Sequence, residues 1–120
     1  MYKLTFDKKA LQKPCQPIES VEEGMEIAKE LLKKLKELGG IGLAANQVGI
    51  NKRVCVVNAL KPIYLINPEI VGNILVKADN FNEPQIFNSG KSVLECVCVQ
   101  HEIDHLDGIT MFERQYMIKN

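Results

Sequence analysis

The chain has 120 residues, with 15 basic against 15 acidic side chains, 46% apolar and 25% charged residues, the profile of an ordinary soluble globular domain. A zero balance gives no electrostatic ground for binding nucleic acid or an anionic membrane. No apolar run approaches the ~20 residues that cross a bilayer, and the start, Met1 to Asp7, has no signal-peptide apolar region.

The expected organisation is therefore one domain over residues 1–120, and the expected compartment is the cytoplasm. The four cysteines, Cys15, Cys55, Cys96 and Cys98, make no zinc-ribbon pattern, because the single C-x-C has no matching second pair. In a reducing compartment they are expected as thiols.

In chain order, residues 1–19 read as an extended arm, since Pro14 and Pro17 bracket Cys15 and forbid a regular helix there. Ser20 opens a helix as N-cap, with Glu23 at the capping-box position. Met25, Ala28, Leu32, Leu35 and Leu38 then recur at helical spacing as a core stripe, or as a groove for a partner helix, and Gly39-Gly40 ends the helix. Residues 39–50 are rich in glycine and alanine. They lack both G-K-[ST] and G-x-G-x-x-G, which excludes a phosphate or dinucleotide loop. Two readings stay open for them: a tight loop packed under a sheet, or a backbone-lined cleft in which Gln47 aims a side-chain amide at a developing oxyanion. Arg53–Val57 and Ile63–Ile66 are strand candidates, the second stopped by Asn67-Pro68; 74–77 and 85–87 are shorter ones. Ser92 and Glu95 cap a last helix that Gly108 ends, and 109–112 can form a final strand.

That last helix carries the chemistry. Both histidines of the chain, His101 and His105, lie four apart within Gln100-His101-Glu102-Ile103-Asp104-His105. The spacing puts both imidazoles on one helical face, where they can hold one first-row divalent metal. Glu102 is then the base that takes a proton from metal-bound water rather than a ligand. Leu94, Val97, Cys98 and the two histidines share a broad face, so the histidines are expected to point inward. The bland reading is a surface helix that carries H, E and H by chance.

Two stretches together resemble peptide deformylase. Gly40-Ile41-Gly42-Leu43-Ala44-Ala45-Asn46-Gln47 is similar to that family's G-x-G-x-A-A-x-Q motif, and residues 100–108 to its Q-H-E-x-D-H-x-x-G motif; Ile66-Asn67-Pro68-Glu69-Ile70 also fits. The chain ends soon after the last motif, as compact phage and organellar forms do. The resemblance implies an α+β fold, with a mixed or antiparallel sheet wrapped around a central C-terminal metal-binding helix. It implies removal of the N-formyl group from the N-terminal methionine of newly made polypeptides. The metal implied is one divalent ion, usually Fe²⁺, with Zn²⁺, Ni²⁺ or Co²⁺ as substitutes. His101 and His105 would be ligands, and Glu102 and Gln47 catalytic. Ile41 and Gly42 would pair with substrate backbone, and Leu94, Val97 and Cys98 would line the methionine pocket. The partners implied are N-formyl-methionyl peptides or nascent chains, with transient proximity to the ribosome, no direct nucleic acid and no membrane, and a monomeric protein (in the host cytoplasm if phage-encoded).

One departure stands out. The family's middle motif, E-G-C-L-S, supplies the third metal ligand and a backbone amide for the formyl oxygen. Nothing in residues 71–100 matches it, and the interval is a few dozen residues short, with the gap falling near Val71-Gly72-Asn73. Cys98 lies ~10.5 Å along the axis from His105 and reaches back poorly, while Cys96 is rotated ~200° from Cys98. A non-catalytic module that recognises formyl-methionyl or methionyl N-termini is the competing reading. A zinc protease of the H-E-x-x-H kind is a third, which Asp104, Gly108 and the glycine-rich stretch disfavour.

Overall fold

Ser20 sets the first helix. Its side chain accepts from the Glu23 N–H at 3.3 Å, and α1 runs Val21–Leu38 to a left-handed Gly39, φ 71°. A computed structural model of the protein describes residue 4 and residues 14–72, 75–87 and 93–108. The elements that follow are β1 (Gly42–Ala44), a 3-10 turn (Ala45–Val48), β2 (Val54–Asn58), β3 (Pro62–Ile66), β4 (Glu69–Gly72), β5 (Leu75–Lys77), β6 (Gln85–Ile86) and α2 (Val93–Leu106). The cap expected at Ser92 and the strand expected at 109–112 lie outside the described residues. The buried face of α1 is Gly24, Ala28, Leu31, Leu32 and Leu35, so the stripe is shifted from the expected one: Leu31 joins it, and Leu38, at the helix end, is 46% exposed.

Two three-stranded antiparallel sheets follow, β1-β2-β3 and β4-β5-β6. In the first, Cys55 pairs with Ala44 on one side and Leu65 on the other. β2 lies between the two helices, and Val54, Cys55, Val56 and Val57 are all fully buried, which is why it reads as an unbroken apolar run. Strand alternation splits its side chains. Val54 and Val56 join Leu31, Leu35 and Ile66 in the core under α1; Cys55 and Val57 join Leu65, Val99, Ile103 and Leu106 in the core around α2. Such burial contributes roughly 1.5–3 kcal/mol for each large aliphatic side chain.

Two asparagines fix the second sheet on the first. Asn67 adopts a left-handed φ of 51°, a conformation asparagine tolerates better than most residues. Its amide donates to the Ile18 carbonyl and Asp79 at 2.7 and 2.6 Å and accepts from the Ile18 N–H at 2.9 Å. Asn80 donates to the Tyr64 carbonyl at 2.6 Å and accepts from the Ile66 N–H at 3.1 Å. Helix α2 packs against β2, β1, the 3-10 turn and β4, so it is central. Val99, Gln100, Glu102, Ile103, Asp104 and Leu106 are buried on several of its faces, as expected of an interior helix. The fold is α+β, and every pairing between named strands is antiparallel. The parallel element is an isolated bridge from Gln16 to Lys52, through which the arm joins the start of β2.

Candidate active site

The two histidines occupy successive turns of α2. Their Nε2 atoms face each other at 2.8 Å, with the rings edge to face, 84° apart and 4.4 Å between centroids. Both rings are half-buried, and burial lowers the His101 pKa; burial, with the His101 ring beside it, lowers that of His105 to about 4. Both are therefore neutral near pH 7, the form in which imidazole binds metal. Two nitrogens bound tetrahedrally at ~2.1 Å to one ion would stand ~3.4 Å apart, so the pair fits a first-row divalent ion at two positions after a small opening. Among the described residues no group of three His, Cys, Asp or Glu side chains converges on such a point.

Glu102 lies on the other side of the helix from solvent, 4% exposed, and its Oε1 has no hydrogen-bond partner. Burial raises its pKa from 4.5 to about 8. The carboxyl is wedged against β1. A Cβ built on Gly42 would lie 2.9 Å from both Cγ and Cδ of Glu102, so the strand approaches this closely because residue 42 has no side chain.

The glycine-rich stretch is an edge strand followed by a 3-10 turn. Ile41's carbonyl accepts from the Asn58 N–H at 2.7 Å, so its backbone is committed to β2. Alternation along the strand then turns the N–H and C=O of Gly42 and Ala44 away from β2. Ala44's outward N–H is capped by Gln47 Oε1 at 2.9 Å, and that bond leaves the amide NH₂ of Gln47 as its donor end. Gly42 carries the outward backbone groups beside Glu102; Ile41 does not.

Val97 and Cys98 are half-buried on the turn before His101. Burial, and secondarily the charge of Glu102, raises the Cys98 pKa, so its thiol is near the carboxyl and protonated at neutral pH. The side chains of Leu94 and Cys96 are outside what the structure describes. Cys55 is fully buried beside Glu102, with its pKa pushed well up, and belongs to the core.

Two residues that sequence reasoning passed over grip the end of α2. Asn46 donates to the His105 carbonyl at 2.6 Å. Arg53 pairs with Asp107 and donates to the Pro68 carbonyl. Asn46 was hidden among small residues and Arg53 read as the first residue of a strand; in neither case does local pattern reveal a partner more than 50 residues away.

The polypeptide deformylase family model matches residues 3–81 and 71–120, two stretches that share residues 71–81. A peptide deformylase from Natranaerobius thermophilus is 34% identical over 92% of this chain and 88% of its own length. That alignment spans 139 positions but takes in 92% of the 120 residues, about 110, so about 29 positions have no residue of this chain opposite them. The crystal structure of a class I type b peptide deformylase from Acinetobacter baumannii superposes with a TM-score of 0.77 at 26% identity, covering 92% of this chain and 96% of that one. The same enzyme with Met-Ala-Ser bound superposes with a TM-score of 0.76 at 23% identity, over 88% of this chain and 93% of that one.

Proposed function

The chain belongs to the polypeptide deformylase family, and from that premise we propose how its residues divide the work of the reaction. The protein is a hydrolase that removes the N-formyl group from the N-terminal methionine of newly made polypeptides. One water is consumed, the formyl C–N bond breaks, and formate and a free amine are released. The supporting observation is the wedge of Glu102 against Gly42. It sets a buried carboxyl with one unbonded oxygen, carried on the helix that bears the histidine pair, against the open edge of a strand.

In this reading His101 and His105 hold one divalent metal, Fe²⁺ in the native protein, with Zn²⁺, Ni²⁺ or Co²⁺ able to substitute. Such an ion, when bound, polarises a carbonyl and brings the pKa of water toward ~7. Gly42 offers its outward N–H and C=O to the backbone of an extended N-formyl-methionyl peptide, as an added strand. Ile41, whose carbonyl is spent on β2, contributes its position beside that strand. Gln47, held by its bond to Ala44, directs its NH₂ at the formyl oxygen as negative charge builds there. Glu102 takes the proton released as water attacks and passes it to the leaving nitrogen. Leu94, Val97 and Cys98 line the methionine pocket. The protein works as one domain over residues 1–120 and as a monomer in the cytoplasm, on peptides or nascent chains near the ribosome. It works without contacting nucleic acid or membrane; no helix among the described residues is long and apolar enough to cross a membrane.

The test separates base from ligand. Glu102→Ala should abolish formate release from a formyl-Met peptide and keep its metal. His101→Ala should lose the metal. Metal lost from Glu102→Ala, or held fully by His101→Ala, would overturn these assignments.

A further inference from the structure

We infer that Asn46 is a positioning residue for His105. It ties the 3-10 turn to the last turn of the metal helix and so sets the second imidazole against the first. The inference rests on the reading of His101 and His105 as ligands, but its primary test does not need a metal.

The two histidines are held very unequally by their own helix. His101 sits in its interior. His105 is the residue before the last, and the helix ends at once in Gly108, which takes a left-handed φ of 76°. The final turn is already tightened: the Asp107 N–H is shared between the Ile103 and Asp104 carbonyls at 3.1 and 3.0 Å. The carbonyls of a helix's last turn have no acceptor role left within the helix and fray unless something outside binds them. Two groups from outside bind such carbonyls here, and a third holds a side chain just past the helix end. Asn46 donates to the His105 carbonyl at 2.6 Å, which also accepts from the Gly108 N–H at 3.1 Å. The Cys15 N–H of the arm donates to the Leu106 carbonyl at 2.8 Å. Arg53 at the start of β2 holds the Asp107 carboxylate.

Of these, Asn46 alone bonds the backbone of a ligand residue. It is 4% exposed and its own Oδ1 is buried with no hydrogen bond. A buried amide that leaves its oxygen unsatisfied is a net gain for the structure only if its nitrogen's bond matters. The neighbouring Gln47 bonds back to Ala44 at 2.9 Å. Consecutive side chains of one short turn thus reach the ligand helix and the strand that carries Gly42. The turn couples the two halves of the site, and Asn46 is its link to the metal side. The resemblance adds nothing here, because Asn46 falls at an open position of the G-x-G-x-A-A-x-Q pattern.

The test compares wild type with Asn46→Ala and Asn46→Asp; the aspartate keeps the shape and, when ionised, cannot donate to a carbonyl. In metal-free protein labelled at histidine, the His105 ring resonances should shift and broaden in both variants while those of His101 stay in place. With Co²⁺ bound, the variants should release the ion to a chelator roughly tenfold faster and show an altered visible spectrum. His105 resonances that match wild type, or that change only together with those of His101, would overturn the inference. If His101→Ala keeps its Co²⁺ while the metal-free resonances behave as expected, the ligand assignment fails and the Asn46 link stands. If Asn46→Ala does not fold, Asn46→Asp, which leaves no cavity, carries the same readouts.

Discussion

Gly42→Ala is the sharpest probe of this site, because a single methyl meets a single functional group. The added carbon would stand 2.9 Å from Cγ and Cδ of Glu102, whereas carbon contacts settle at ~3.5–4.0 Å. The backbone itself raises no objection, since Gly42 is not among the residues with positive φ. Glu102 must therefore retreat by ~0.6–1 Å, and it is 4% exposed with little room to do so. A displacement of about 1 Å in a positioned group costs on the order of 10²-fold in rate, or about 2.7 kcal/mol of barrier. Overpacking costs a further ~1–3 kcal/mol of stability, offset by ~0.4–1 kcal/mol from a less flexible unfolded chain. The assay is formate release from a formyl-Met peptide, with metal content measured on the same sample. Turnover should fall ~10²-fold with metal retained, because neither histidine is touched. In a Glu102→Ala background the stability cost of Gly42→Ala should vanish, because the clash has no partner. Wild-type turnover in Gly42→Ala, or an equal stability loss in both backgrounds, would refute the wedge.

Other outcomes follow from the same geometry. In metal-free protein Glu102, raised by burial from 4.5 to about 8, holds more protons than the unfolded chain between those values. Its contribution is complete below 4.5 and is lost as pH rises through 8. His105, lowered by burial and by His101 from 6.5 to about 4, acts the other way and costs stability as pH falls through that window. Between pH 6.5 and 8 only the Glu102 slope remains, so thermal unfolding in a chelator should show Tm falling with pH, and Glu102→Gln should flatten the fall. Leu65→Ala, at a fully buried position, should cost ~2–5 kcal/mol by denaturant unfolding. Asn67→Ala, which removes three hydrogen bonds and leaves an alanine at φ 51°, should destabilise by several kcal/mol; Asn67→Gly, free of the backbone strain, should recover ~1 kcal/mol of it. With two histidine donors, bound metal should pass to a chelator readily, as followed by absorbance of the chelator complex; retention over days would point to a third donor in the chain.

What the sequence made legible was periodic or rested on local chemistry. The Ser20 cap and the Gly39 stop are each written within four residues of their own partners, Glu23 for the first and Leu35 and Lys36 for the second, and α1 has those ends. The i, i+4 histidines needed only the pitch of a helix to be placed together. The commitment of Ile41 to β2 was out of reach, because it depends on which residues of β1 face Asn58 in the register, and a shift of one residue exchanges inward and outward groups. The grip of Asn46 and Arg53 on the end of α2 joins residues 59 and 54 apart, a distance at which no local pattern carries information. The shift of the α1 stripe toward Leu31 has the same origin, since which side of an amphipathic helix is deepest is decided by the sheet beneath it.

The electrostatics of His101, Glu102 and His105 give packing a chemical consequence. All three groups are neutral at pH 7: burial lowers the pKa values of His101 and, with the His101 ring beside it, of His105, and burial raises that of Glu102 to about 8. Neutral imidazoles are already in ligand form, so metal binding at these nitrogens displaces no proton from them. A neutral carboxyl is the wrong form for a base, and a nearby divalent charge favours its ionised state and draws the pKa down. Burial thus leaves both imidazoles in ligand form, and in the proposed roles it makes the basicity of Glu102 conditional on the metal. An anionic donor would offset part of that positive charge. Where two neutral histidines are the donors, the full charge acts on Glu102, so weaker retention of the metal and a more strongly depressed carboxyl pKa are two results of one arrangement.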